Sequence, residues 1–320
     1  MRCFQRVGGC SPMERVGPVA MNKIPVAIIG SGNIGADLLV KVMRSTLLTC
    51  TAFIGRNLRS AGMLKAQEMG VLVSAEGIDY IKNNPTCCKL VFDATSAQAH
   101  VVHAETFKAL GITCIDLTPA KTGPMCLPCV NMAECLSELD VNMVTCGGQA
   151  SAPIAYAIGQ TQDDVDYVEV ISAIASRSAG PATRANLDEY IQTTEEAIKK
   201  FSGAKRTKAI LNLNPATPCI DMQTTVLAKV GSPNLNKLRP FLAELVARVQ
   251  RYVPGYAILV GPLIENGRIV VTIKVKGLGD YLPAYAGNLD IINCGAIAMA
   301  EEYASMWLQR SGDVKKEGLV

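Results

Sequence analysis

Gly30-Ser31-Gly32-Asn33-Ile34-Gly35 constrains the fold of this chain more than any other six residues. The spacing is G-x-G-x-x-G. A short buried-strand pattern over residues 25–29 runs directly into it, and a helical run over residues 36–44 leaves it. In that setting the first glycine makes a tight turn, the second lets a pyrophosphate approach the backbone, and the third lets helix pack on strand. Such a unit opens a doubly wound parallel sheet of the Rossmann type, with the dinucleotide held at the helix N-terminus. The next strand is expected over residues 48–54. The acid that usually follows, to hold a ribose 2′-hydroxyl, is absent; Gly55-Arg56-Asn57 stands there instead. Arg56 suits a 2′-phosphate and Asn57 can reach a ribose hydroxyl, so NAD and NADP both remain open.

Strand and helix patterns then alternate. Residues 61–69 and 77–82 read as helices, and residues 71–74, 89–93 and 113–117 as strands. Ala94-Thr95-Ser96-Ala97 ends one of those strands and belongs beside the cofactor, because ligands of doubly wound sheets sit at the carboxyl ends of the strands. His100 and His103 are the only two histidines. Three apart, they share one face of a helix. They read as a helix face near the cofactor rather than as a base, since no third group is in view to orient them.

Residues 141–156 carry the other strong feature. An apolar, strand-like run breaks at Thr145-Cys146-Gly147-Gly148 and continues as small, helix-compatible residues. A cysteine at a helix N-terminus meets unpaired N–H groups and a positive partial charge, which lower a thiol pKa. A fall from about 8.5 to about 7 raises the thiolate fraction near pH 7 from a few per cent to roughly half. The glycine N–H groups offer an oxyanion site. The competing reading is a buried, inert cysteine. Taken alone, the stretch leaves both open.

After Cys146 the character changes. Residues 165–176 read as a long strand. The small-residue loop Ser178-Ala179-Gly180-Pro181-Ala182-Thr183-Arg184-Ala185-Asn186 leads into a helix over 187–200 with acids near its start. Strands follow at 209–214 and 226–230, then an amphipathic helix over 238–252. Residues 256–260 and 269–276 read as antiparallel strands, with Asn266-Gly267 as the turn signal between them. A loop over 281–288 precedes a small-residue helix. The expected architecture is α/β: a dinucleotide-binding domain over 21–145, rejoined by a C-terminal helix over 288–310, and an α+β catalytic and dimerisation domain over 146–287.

Composition agrees and excludes alternatives. The chain has 320 residues, 49% of them hydrophobic and only 5% aromatic, which suits α/β layers with buried parallel strands. A formal charge of +3, with no basic stripe interleaved with aromatics, argues against nucleic acid as a partner. No apolar run reaches the length of a membrane span. Twelve cysteines without a convincing secretory signal read as reduced thiols in a cytoplasmic enzyme. Cys126-x-x-Cys129 with Cys135 lacks a nearby histidine and a fourth ligand, so no metal site is expected. Residues 1–20 are basic and aperiodic, and read as a disordered tail rather than a transit peptide.

Several runs carry a resemblance. Ser31-Gly32-Asn33-Ile34-Gly35, Phe92-Asp93-Ala94-Thr95-Ser96-Ala97, Ile115-Asp116-Leu117-Thr118-Pro119-Ala120, the run 141–150, the loop 178–186 and Leu282-Pro283-Ala284-Tyr285-Ala286-Gly287-Asn288-Leu289-Asp290 closely resemble the acylating acetaldehyde dehydrogenases. The likeness extends over nearly all of residues 21–306. It implies the two-domain layout shared with glyceraldehyde-phosphate and semialdehyde dehydrogenases. It implies oxidation of acetaldehyde, or propanal, to acyl-CoA with NAD and coenzyme A, through a thioester on Cys146. It also implies dinucleotide contacts from Ser31, Gly32, Asn33 and Ile34, from the loop 178–186 and from Asn288. A homodimer docked to a 4-hydroxy-2-oxovalerate aldolase, in the breakdown of aromatic compounds, is the implied setting. Gly147 and Asn288 are the candidate charge stabilisers.

Two departures stand out. Relatives commonly carry an Asp within Met-Arg-Asp-Thr, thought to activate the thiol, whereas this chain reads Met222-Gln223-Thr224-Thr225. Asp221, three residues before Thr224, is the candidate substitute base. The segment 256–281 is also shorter than in several relatives. The rival readings are a phosphorylating semialdehyde-type dehydrogenase and a silent dinucleotide-binding subunit of an aldolase complex. The first is disfavoured because no histidine follows Cys146.

Overall fold

A computed structural model describes residues 23–317; the tail expected over 1–20 lies outside the described residues. The first half alternates strictly: β1 (Ile24–Ile29), α1 (Asn33–Arg44), β2 (Leu48–Ile54), α2 (Ala61–Glu68), β3 (Val73–Ser74), α3 (Ile78–Asn83), β4 (Leu90–Asp93), α4 (Ala97–Leu110), β5 (Thr113–Asp116), α5 (Pro128–Cys135) and β6 (Asp140–Asn142). All six strands are parallel, in the order β3-β2-β1-β4-β5-β6. This is the Rossmann order, and it puts the crevice between β1 and β4, where the winding reverses. The strands read as unbroken apolar runs because both faces are covered. Val26, Ile28, Phe53 and Phe92 face one core, and Ala27, Ile29, Ile54 and Val91 face another with Phe107 of α4.

The second half contains α6 (Cys146–Thr161), β7 (Val165–Ala175), α7 (Pro181–Ala185), α8 (Leu187–Ser202), β8 (Arg206–Asn214), β9 (Met222–Val230), α9 (Leu235–Gln250), β10 (Tyr256–Glu265), β11 (Arg268–Val275) and α10 (Gly287–Glu317). Its sheet runs β10-β11-β9-β7-β8 and is mixed, not purely antiparallel, because α8 crosses between the parallel pair β7 and β8. The expected hairpin is present. Asn266 and Gly267 both adopt positive φ, 49° and 71°, as a two-residue turn matched to strand twist requires. The loop 178–186 differs from expectation in holding the short helix α7.

Alternation along β9 fixes which side chains enter the core. Met222, Thr224, Val226, Ala228 and Val230 are buried, and the positions between them are not. On α8, Tyr190, Thr193, Thr194, Ala197, Ile198 and Phe201 form the buried stripe at helical spacing. Ile210, Leu259, Val260 and Ile264 of this sheet are exposed.

The two halves are tied by a buried ion cluster. Lys41 Nζ on α1 lies 2.9 Å from Asp37, 2.9 Å from Asp280 and 2.7 Å from Asp290 of α10, and Arg44 also pairs with Asp280. Asn293 donates to Asp37 Oδ2 at 2.8 Å. These contacts fasten the segment 280–293 against the helix that leaves the glycine loop.

Candidate active site

β6 ends at Asn142, and two residues later the chain turns sharply. Val144 has φ 63°, a conformation rare for a β-branched residue. Asn142 holds it there: its Oδ1 accepts from Val144 N–H at 2.8 Å, while its amide donates to Asp116 Oδ2 at 2.7 Å and to the Thr118 carbonyl at 2.9 Å. Thr145 then caps α6, accepting from Gly148 N–H at 2.9 Å, and Cys146 is the first helical residue.

Cys146 opens onto a cavity lined by Ile34, Thr95, Ser96, Thr118, Thr183, Asn186, Tyr190 and Leu289, among others. The glycine-loop helix, the ends of β4 and β5, the loop 178–186 and the start of α10 therefore meet at the sulfur. Burial pushes the Cys146 pKa up, and the Tyr190 hydroxyl with the Gly147 and Cys146 N–H groups offsets only part of the rise. The helix terminus is where the sequence puts it, but desolvation outweighs it.

Tyr190 was not singled out by sequence reasoning. Its place in the buried stripe of α8 is readable from spacing, but its partner is not. The Cys146 thiol donates to the Tyr190 hydroxyl at 3.6 Å. A methyl on Gly147 would overlap that hydroxyl, so glycine is what lets the tyrosine reach the sulfur. Thr194 donates to the Tyr190 carbonyl at 2.7 Å, and its one proton being committed, Thr145 donates to Thr194 at 2.7 Å. The α6 cap and α8 are thus bonded together at the cysteine.

The expected base is not brought to the site. Asp221 lies at odd parity to the buried positions of β9, and its carboxylate is 3.9 Å from Lys274 on the other face of the sheet. Thr224 points inward and is fully buried, its hydroxyl 2.9 Å from Ser172 on β7. The histidines do not serve either. His100 and His103 both turn Nδ1 to Asp93 Oδ2, at 2.9 and 2.8 Å, beneath α4. His100 Nε2 lies 3.4 Å from Asp140 and 3.5 Å from Asp116, an ionic contact too poorly aligned for a hydrogen bond. Burial opposes a charge on His100, yet Asp140, Asp93 and Asp116 hold its pKa up at about 10. Burial would raise Asp93, but bonds from the two histidines bring it to about 2, whereas burial takes Asp116 up to about 7.

A family model described as prokaryotic acetaldehyde dehydrogenase, dimerisation, matches residues 146–283. The acetaldehyde dehydrogenase of Spirochaeta aurantia is 61% identical over 287 residues, 90% of this chain and 97% of that protein. The chain belongs to the acetaldehyde dehydrogenase family. The Pectobacterium atrosepticum acetaldehyde dehydrogenase is 58% identical over 286 residues, 89% of this chain and 97% of that protein. A crystal structure of aspartate semialdehyde dehydrogenase II from Vibrio cholerae, complexed with ASA, shares the fold at a TM-score of 0.58 and 14% identity, covering 88% of this chain and 98% of that one.

In this acetaldehyde dehydrogenase family member the glycine loop fits a dinucleotide. Gly30, at φ +114°, and Gly35 have no room for a Cβ, which would strike the Ala94 and Gly30 carbonyls respectively. Gly32 faces open space, as a position approached by a pyrophosphate must. Asn33 and Ile34 open α1 beside it, and Ser31 Oγ lies 3.1 Å from Ser60 Oγ. Asn288 is fully buried with both amide atoms unpartnered, next to the lining residue Leu289, and fits a polar ligand group. Arg56 is exposed at the end of β2, and Asn57 accepts from Arg59 N–H at 2.9 Å. Thr183 and Asn186 line the cavity, whereas Ser178 is buried with its hydroxyl on the Ala175 carbonyl. Arg184 clamps its own loop through Ala179 and Ser176.

Proposed function

We propose that this chain is a CoA-acylating aldehyde dehydrogenase that converts acetaldehyde or propanal, coenzyme A and NAD to acyl-CoA and NADH. The observation that carries the reading is the single cavity in which Cys146 faces Ile34 of the glycine loop and the residues beside Asn288. A nucleophile and a hydride acceptor must share such a space. Bound NAD supplies the hydride acceptor. The Cys146 sulfur attacks the aldehyde carbon, the thiohemiacetal loses hydride and becomes a thioester, and coenzyme A takes the acyl group. Ser31, Gly32, Asn33 and Ile34 hold the pyrophosphate side, Thr183 and Asn186 the loop side, and the Asn288 amide a polar group of cofactor or substrate. NADP is tolerated, with Arg56 at the exposed end of β2.

Residues 146–287 form the catalytic and dimerisation unit and residues 21–145 with the C-terminal helix the cofactor unit. The exposed apolar side chains Ile210, Leu259, Val260 and Ile264 support pairing with a second copy through this sheet. A 4-hydroxy-2-oxovalerate aldolase is the proposed source of the aldehyde, in aromatic catabolism. The ten described cysteines all carry free thiols, in keeping with a cytoplasmic setting.

The test is reduced-cofactor formation from acetaldehyde with and without coenzyme A, using NAD and then NADP, beside Cys146→Ala. Turnover that needs coenzyme A and disappears in the variant is expected. Turnover that ignores coenzyme A, or survives Cys146→Ala, overturns the reading.

A further inference from the structure

Within the described residues, the titratable groups nearest in kind to a thiol-activating base are otherwise engaged. Asp221 is with Lys274, His100 and His103 are with Asp93, and the Thr224 hydroxyl is with Ser172. The side chain on the sulfur is Tyr190, whose hydroxyl is 3.6 Å from Cys146 Sγ. Thr194, itself bonded to Thr145, fixes the Tyr190 carbonyl, and the missing side chain at Gly147 leaves the approach clear.

We propose that Tyr190 is a catalytic residue, whose phenol O–H donates a hydrogen bond to the Cys146 sulfur each time that sulfur carries negative charge. This rests on the thioester reading above. A hydroxyl both accepts and donates, so one geometry serves both protonation states. With the thiol, sulfur donates to oxygen. With the thiolate, the O–H turns toward sulfur. Burial, and then the neighbouring sulfur, raise the phenol pKa well above its ordinary value, so Tyr190 keeps its proton and acts as a donor, not a base.

The reaction makes sulfur anionic twice. In the first half the Cys146 thiol gives its proton to water. The thiolate pair forms the S–C bond, and the carbonyl π pair moves onto oxygen. That alkoxide re-forms C=O as hydride leaves carbon for the oxidised nicotinamide, so the aldehyde loses two electrons and the cofactor gains them. In the second half coenzyme A gives its thiol proton to water, its thiolate adds to the thioester carbonyl, and the resulting oxyanion re-forms C=O as the C–S bond to Cys146 breaks, returning the sulfur as a thiolate that takes a proton back from water. Tyr190 stabilises the nucleophile in one half and the leaving group in the other. A largely buried thiolate needs such a donor more than an exposed one does, because fewer waters reach it.

The experiment compares full-length wild type with Tyr190→Phe, which keeps the ring and removes the hydroxyl. Iodoacetamide labelling of the peptide containing Cys146, followed by mass spectrometry across pH, reads the thiol pKa directly. A hydrogen bond to a charged group predicts an inflection about one pH unit higher or more, and CoA-dependent turnover down about tenfold with the aldehyde KM little changed. Gly147→Ala, which pushes the hydroxyl aside, moves the inflection the same way, so the proposal does not hang on one variant. An inflection and turnover equal to wild type in a folded Tyr190→Phe protein overturn it. Cys146→Ala run in parallel separates the two ideas: if that variant still turns over, the thioester reading itself has failed, whereas a dead Cys146→Ala beside an unaltered Tyr190→Phe rejects Tyr190 alone.

Discussion

Asn142 accepts a hydrogen bond from Val144 N–H at 2.8 Å, and thereby holds a valine at φ 63° two residues before Cys146. Such a conformation is unfavourable by about 1–3 kcal/mol and persists only where the surroundings enforce it. Asn142→Ala removes that enforcement and leaves a buried N–H without a partner, at about 1–3 kcal/mol. The expected outcome is a lower denaturant midpoint and a loss of turnover larger than the fraction unfolded accounts for. Asn142→Asp is more specific. It sets a second carboxylate against Asp116, whose pKa is about 7, so its stability should recover as pH falls below 7. Chemical denaturation at pH 6 and pH 8 distinguishes this from a pH-independent defect.

The glycine loop separates folding from binding. Gly32→Ala meets no protein atom, so its stability should lie within about 1 kcal/mol of wild type. Its methyl enters the space assigned to the pyrophosphate, and NAD affinity should fall at least about tenfold. Gly30→Ala is strained at φ +114° and strikes the Ala94 carbonyl, so it should lose both stability and binding. Calorimetric NAD titration and thermal melting on the two variants check this. Undiminished NAD binding by Gly32→Ala would show that the cofactor lies elsewhere.

Lys41→Met tests the clamp between the two halves. Methionine fills the volume but leaves Asp37, Asp280 and Asp290 around an absent charge, with Arg44 still on Asp280. Breaking a buried pair from one side is unfavourable by about 3–5 kcal/mol. Equilibrium unfolding at pH 7.5 should show that loss. A variant as stable as wild type at pH 7.5 would mean that Lys41 contributes nothing net.

The histidine–aspartate cluster sets a pH profile. His100 titrates at about 10 in the fold against about 6.5 unfolded, so its contribution is complete below pH 6.5 and is lost as pH rises through 10. Asp116, raised to about 7, acts in the same sense between about pH 4 and pH 7. Asp93, held at about 2, contributes fully above about pH 4 and loses this as pH falls through 2. His103, Asp140 and Cys114 also face the cluster. Thermal midpoints of the wild type should therefore fall steadily from pH 6.5 to 10. His100→Gln should melt lower at pH 7 and lose that alkaline decline. A flat wild-type profile over the same range contradicts a charged His100.

Much of the framework was legible because it depends on short-range rules. Glycine spacing between a strand and a helix specified the loop, and residues 48–54 read as a strand that β2 matches to the residue. Asn266-Gly267 specified its turn because few other residues accept two successive positive φ values. Cys146 fell at a helix start for a similarly local reason, the cap at Thr145. The mixed sheet was less readable, because β7 and β8 pair in parallel through a helix and no turn signal marks that pairing.

The sequence by itself determined where the glycine loop, the candidate nucleophile and the layer order lie, since backbone hydrogen bonding and φ requirements act over a few residues. Tertiary structure alone decided the state of the sulfur. Desolvation depends on everything packed around it, and here it outweighs the helix terminus. It also decided the sulfur's partner. Tyr190 is 44 residues away in the chain and meets Cys146 only because α8 docks against the start of α6. Strand parity turned Thr224 inward onto Ser172 and left Asp221 on the far side with Lys274, a difference of side that becomes physical only when β9 is paired in its sheet.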